Sequence, residues 1–187
     1  MKFSMKKVTV LLADGFEEIE ALTVVDLLRR AKVYVDTVSI TDDYTVRGAH
    51  GIPVQTEDLI TEIDFKESDM IVLPGGMPGT TNLKEDENVR KAVQEAYDDG
   101  RYVAAICAAP TIFADMGLLK GKRATCYPDM ESEIEDAYLT GAPVATDENI
   151  ITSQGVGTAI DFALKLIEVL ISEEKAVEIA DSIVYQR

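Results

Sequence analysis

Cys107 closes the apolar run Tyr102-Val103-Ala104-Ala105-Ile106 and is followed at once by Ala108-Ala109-Pro110. A strand that stops at a reactive side chain, with only small residues behind it, predicts a sharp strand-to-helix turn. Such a nucleophile elbow presents the thiol at the amides that open the next helix. By itself a cysteine after an apolar strand is more often a buried, inert core residue. Glu20 is the second residue of interest. It sits one turn ahead of Val24 and on the side of Leu27 and Ala31, so its carboxyl is predicted to point inward, protonated or hydrogen-bonded. Glu17 and Glu18 are expected to face water. The competing reading of Glu20 is a first-turn acid favoured by the helix dipole. Pro74-Gly75-Gly76 follows a short apolar run, and its glycines let backbone come close to whatever is bound at sulfur. His50 is the only histidine and lies in Gly48-Ala49-His50-Gly51. A loop histidine is most often a solvated turn residue, although its ordinary pKa suits proton transfer.

The elements that must position these residues alternate in type. Short apolar runs predict strands at Lys7–Ala13, Val33–Ile40, Met70–Leu73, Tyr102–Ile106, Arg123–Tyr127 and Ile150–Thr152. Helical periods fit Phe16–Ala31, where Ala21, Val24, Val25 and Leu28 form a stripe, and Glu87–Asp98, stopped by Gly100. Thr158–Ile171 and Glu173–Val184 read as two closing helices. Thr45–Thr56, broken by Gly48, Gly51 and Pro53, reads as a small hairpin. Asp129–Asp136 reads as a solvated helix face or loop. The alternation predicts an α/β fold with a doubly wound, mostly parallel sheet between helices. Ligands in such folds bind at the carboxyl ends of the strands, where the loop after the first strand, the Gly75-Gly76 loop and the Cys107 elbow all fall.

Composition narrows the function. The 187 residues, 47% hydrophobic, suit one compact domain spanning 1–187. Eighteen basic against 34 acidic residues give a formal charge of −16, which opposes binding to nucleic acid and to anionic membranes. Three lysines ahead of Val8–Ala13 look like a secretory leader, but the apolar stretch is short and runs into a charged turn, so it reads as a first strand. Two cysteines make no disulfide framework, no Cys/His group has zinc spacing, and no apolar run reaches the ~20 residues of a membrane helix. A cytoplasmic location is expected, with neither metal nor cofactor.

The whole chain resembles the ThiJ/PfpI superfamily, most closely the branch of the Parkinson-disease protein. The likeness is carried by Ala13-Asp14-Gly15-Phe16-Glu17-Glu18-Ile19-Glu20, Val72-Leu73-Pro74-Gly75-Gly76, Ala104-Ala105-Ile106-Cys107-Ala108-Ala109-Pro110 and Thr152-Ser153-Gln154-Gly155-Val156-Gly157-Thr158. The resemblance implies a flavodoxin-like fold, a homodimer formed through the first helix, and glyoxalase, deglycase or redox-sensing activity. It implies Cys107 as nucleophile, Glu20 as its acidic partner, and the Gly76 and Ala108 amides as an oxyanion hole. Three departures limit it. Tyr127 stands where many members have a histidine, Ala108 stands where protease-type members have one, and Gln154 and Val156 replace Arg and Pro. A cysteine peptidase is therefore disfavoured. Strand alternation would turn Cys126 away from a site that Tyr127 faces. His50, near the implied dimer interface, is expected to reach the Cys107 pocket of its own or the partner subunit.

The chemistry explains why the partner matters. Lowering a thiol from about 8.5 to about 5.5 needs roughly 4 kcal/mol of preference for thiolate. A helix N-terminus supplies about 0.3 to 2 kcal/mol. An ionised Glu20 would repel the thiolate, so the useful partner is a protonated carboxyl donating to sulfur, a bond contributing roughly 1.5 to 3 kcal/mol. Two functions follow. One is addition of Cys107 to small reactive dicarbonyls or their adducts, without a cofactor. The other is a non-catalytic redox sensor or chaperone whose Cys107 oxidises to sulfinate.

Overall fold

The computed structural model describes residues 5–186; Met1–Ser4, where the leader-like stretch begins, and Arg187 lie outside them. In chain order the elements are β1 (Lys7–Leu12), α1 (Glu18–Arg30), β2 (Tyr34–Ser39), β3 (Thr45–Arg47), β4 (Pro53–Gln55), β5 (Asp58–Leu59), β6 (Met70–Leu73), α2 (Gly79–Glu85), α3 (Glu87–Asp98), β7 (Tyr102–Ile106), α4 (Pro110–Asp115), β8 (Arg123–Ala124), β9 (Tyr138–Leu139), β10 (Val144–Asp147), β11 (Ile150–Ser153), α5 (Ala159–Leu170) and α6 (Glu173–Ser182).

Seven strands form one sheet in the order β10-β11-β7-β6-β1-β2-β5, parallel except for β10. The sheet is doubly wound as the alternation of elements predicts, and its order β2-β1-β6-β7-β11 is the flavodoxin-like one that the family resemblance implies. Strands β6 and β7 are apolar, and β1 is apolar apart from Lys7 and the buried Thr9, because helices cover both faces. Side-chain alternation divides β1 between two cores. Val8, Val10 and Leu12 pack with α1, α5 and α6, while Leu11 joins Leu83 of α2, the Val89 face of α3 and Phe113 of α4. Helix α3 begins where expected because Asp86 accepts from the Asn88 and Val89 amides at 2.8 and 2.9 Å. The expected hairpin forms as β3 and β4, paired antiparallel.

One expected strand is corrected. Only Arg123 and Ala124 of Arg123–Tyr127 are extended as a strand, and they pair with β9 rather than with the main sheet. The edge beside β11 is taken by β10, which folds back antiparallel through Asp147↔Ile150. Thr125 consequently donates its amide to the Thr152 hydroxyl at 3.0 Å instead of a strand carbonyl. The acidic stretch after it forms a short 3-10 helix, Pro128–Glu133, with Ile134 buried behind it.

The sheet's order reverses between β1 and β6, the switch point where parallel sheets leave a crevice. The loops after β1, β6 and β7 all open there.

Candidate active site

Cys107 adopts φ +65°, a left-handed conformation that costs a non-glycine residue about 1–3 kcal/mol and persists only where the surroundings impose it. Two backbone bonds impose it. The Cys107 amide donates to the Ser153 carbonyl at 2.9 Å, continuing the pairing with β11, and the Tyr127 amide donates to the Cys107 carbonyl at 2.8 Å. Pro110 then opens α4 at a position where a missing amide hydrogen does no harm. The thiol is half-buried.

Glu20 reaches the elbow from α1. It is fully buried, and its Oε2 accepts from the Gly75 amide at 2.9 Å. Oε1 is buried with no hydrogen-bond partner among the described residues, and the Cys107 side chain is the neighbour that acts on this carboxyl. Burial pushes Glu20 up to about 7, against the lowering effect of its bonds to Cys107 and Gly75. Burial also pushes the Cys107 thiol up to about 12, reinforced by the charge and hydrogen bond of Glu20, while the amides of Ala108 and Gly76 pull it down. These opposing demands have one resolution: the pair cannot hold two negative charges and shares a proton across the neutral range. Donor counting favours thiolate beside carboxylic acid. The sulfur then has the Gly76 and Ala108 amides and the Glu20 O–H, whereas a carboxylate has only the Gly75 amide and the S–H. The low thiol pKa expected from the elbow is therefore not met by Cys107 itself, which burial and Glu20 raise; a thiolate here requires Glu20 to keep its proton.

The glycine loop makes this contact geometrically possible. A Cβ on Gly75 would stand 2.6 Å from both Cys107 Cβ and Glu20 Oε2. Gly76 has φ +92°, and a Cβ there would strike the Glu17 amide, which itself donates to the Gly75 carbonyl at 2.8 Å. The loop is thereby locked to the start of α1. Gly155, in the last motif, completes the wall. A Cβ there would lie 3.7 Å from the Tyr127 ring, 3.8 Å from Cys107 Sγ and 3.9 Å from Glu20 Oε1. Tyr127 thus borders the site, about half-exposed, while Cys126 is buried in the opposite core with its thiol pushed up to about 12 by burial and then by Glu131 and Glu133.

His50 is placed elsewhere. Its Nδ1 lies 2.8 Å from Glu18 Oε2, and among the described residues no hydrogen bond or ion pair joins it to Cys107 or Glu20. Glu18, expected to face water, is buried because the β3–β4 hairpin folds over the start of α1. Sequence reasoning passed over Gly155 as a wall of the site; its place in a Ser-Gln-Gly-Val-Gly run after β11 was the available signal.

A family model described as the DJ-1/PfpI family matches residues 6–169. The chain belongs to this family. It is 40% identical over 186 residues to the Arabidopsis thaliana protein DJ-1 homolog B, covering 98% of this chain but only 42% of that protein's length. It is 34% identical over 182 residues to the Schizosaccharomyces pombe glutathione-independent glyoxalase DJ-1, covering 91% of this chain and 94% of that one. Among solved structures, oxidized Toxoplasma gondii DJ-1 superposes with a TM-score of 0.92 at 36% identity, over 97% of this chain and 100% of that one.

Proposed function

We propose that the protein is a cofactor-independent, cysteine-dependent enzyme acting on small 2-oxoaldehydes or their adducts, of the glyoxalase or deglycase type. The carrying observation is a buried Glu20 carboxyl beside a half-buried Cys107 sulfur, on a strained elbow flanked by the Gly76 and Ala108 amides. The name of the fission-yeast relative supports the substrate class. The thiolate attacks the aldehyde carbon; the C–S bond forms and the carbonyl electrons move to oxygen, which the two amides stabilise until Glu20 protonates it. Glu20, now a carboxylate, removes the proton on that carbon and delivers it to the neighbouring carbonyl carbon, while the hydroxyl proton on the sulfur-bearing carbon passes to the former ketone oxygen and that carbon regains its C=O. The resulting thioester is hydrolysed by water, releasing a 2-hydroxy acid and the thiol. Net, one 2-oxoaldehyde and one water give one 2-hydroxy acid.

The arrangement argues against a peptidase, since the chain's single histidine is bonded to Glu18. The redox-sensing alternative is favoured by the same donors, which would hold a sulfinate, and by the oxidized state of the Toxoplasma relative. We assign the protein to the cytoplasm as a homodimer built on α1, whose Ile19 and Leu22 are exposed and apolar, the whole chain acting as one unit. No helix among the described residues is long and apolar enough to cross a membrane. The deciding experiment is methylglyoxal turnover by the purified protein beside Cys107→Ala. Lactate formation that needs Cys107 supports the enzyme; no turnover, with stoichiometric oxidation of Cys107, replaces it by the sensor.

A further inference from the structure

Away from Cys107, the β3–β4 hairpin meets the start of α1. There Glu17, Glu18 and His50 bring one ligand atom each to within 4.8 Å of one another. His50 Nδ1 stands 2.8 Å from Glu18 Oε2 and 3.6 Å from Glu17 Oε2. Ligand atoms bound to a single zinc-sized ion at about 2.0–2.2 Å stand roughly 3–3.6 Å apart, so the ring and carboxylates already have coordinating spacing.

The seat is built on its protein side. Gly48 has no Cβ, and one would collide with the Glu18 carboxylate. The His50 amide donates to Glu18 Oε1 at 2.8 Å, which fixes the carboxylate with Oε2 turned toward the imidazole. The Glu18 side chain is 6% and that of Glu17 13% exposed, so neither carboxylate is well hydrated, and among the described residues the Glu17 carboxylate pairs only with the His50 ring, at 3.6 Å. His50 is 68% exposed, which leaves the remaining coordination positions open to water. The positive end of α1 opposes a cation here, but two poorly hydrated carboxylates in a chain of net charge −16 outweigh it.

We propose that Glu17, Glu18 and His50 form a binding site for a divalent transition-metal ion, with Zn²⁺ the best match to one imidazole and two carboxylates. The ion takes the place of the proton between His50 Nδ1 and Glu18. No spacing in the sequence announces this site, because adjacent acids on a helix meet a histidine 32 positions away only when the hairpin folds over.

The test is calorimetric titration of the full-length protein with Zn²⁺, accompanied by the absorption spectrum of the Co²⁺ form. One ion per chain is expected. Binding persists in Cys107→Ala and weakens at least roughly tenfold in His50→Ala and in Glu17→Gln, the scale on which lost ligand-sphere groups act. The exposure of His50 keeps that variant folded, which circular dichroism verifies. The Co²⁺ form shows ligand-field bands without a thiolate charge-transfer band. No binding, binding unchanged in His50→Ala, loss in Cys107→Ala, or a thiolate band would each overturn the assignment; the last two would place the ion at Cys107.

Discussion

Glu20→Gln separates the buried carboxyl's cost to the fold from its use in the site. Glu20 is raised from 4.5 to about 7, chiefly by burial, so it binds a proton more tightly folded than unfolded. The stability it contributes is fully present below pH 4.5 and is lost as pH rises through about 7. At 1.36 kcal/mol per pH unit, the shift amounts to about 3 kcal/mol. Glutamine has the same shape and does not titrate. The stability difference between Glu20→Gln and the parent is therefore expected to grow in favour of the variant by about 3 kcal/mol between pH 4.5 and pH 8. The assay is urea unfolding followed by circular dichroism across that range, at one protein concentration and with EDTA present, so that neither association nor a bound ion contributes. Titrations distant from the site cancel in the difference, and that of Cys107, coupled to Glu20, is removed by repeating the comparison in a Cys107→Ala background. Since burial is the largest cause, most of the effect should survive in a Cys107→Ala background. Parallel stability curves for the two proteins would refute the buried, proton-holding Glu20 and with it the argument for the thiolate.

Iodoacetamide at pH 7 is expected to label Cys107 at least about tenfold faster than Cys126, which is buried and whose thiolate is further disfavoured by Glu131 and Glu133; mass spectrometry of the native protein reports both, and equal rates would remove the elbow's special role. Gly75→Ala forces a Cβ to within 2.6 Å of Cys107 Cβ and Glu20 Oε2 and should lower turnover roughly 10²-fold, the scale of a displaced oxyanion donor, with the circular dichroism spectrum retained. Mild peroxide should add two oxygens, about 32 Da, at Cys107 and stop there because the neighbouring amides hold the sulfinate. Intact mass measures this, and a Cys107–Cys126 disulfide instead would contradict the placement of Cys126 in the opposite core.

Local sequence determined the parts whose physics is local. The short, largely apolar runs of β1, β6 and β7 between turn signals have the length and composition of strands buried on both faces, and the small residues after Cys107 announced the elbow. The α1 stripe carried Glu20 inward by period alone. What the tertiary structure decided depends on partners distant in the chain. Whether Arg123–Tyr127 joins the sheet turned on which segment claimed the edge of β11, and β10 did so through a short antiparallel return. Glu18 left the solvent only because a hairpin 30 residues later covered it, bringing His50 to Glu18 rather than to Cys107. Gly155 became a wall of the site through the pairing of β11 with β7. The reactivity of Cys107 is the sharpest case. The elbow is written in seven consecutive residues, but the protonation state of its thiol depends on a carboxyl 87 positions earlier, whose desolvation exists only once the sheet and helices have closed around it.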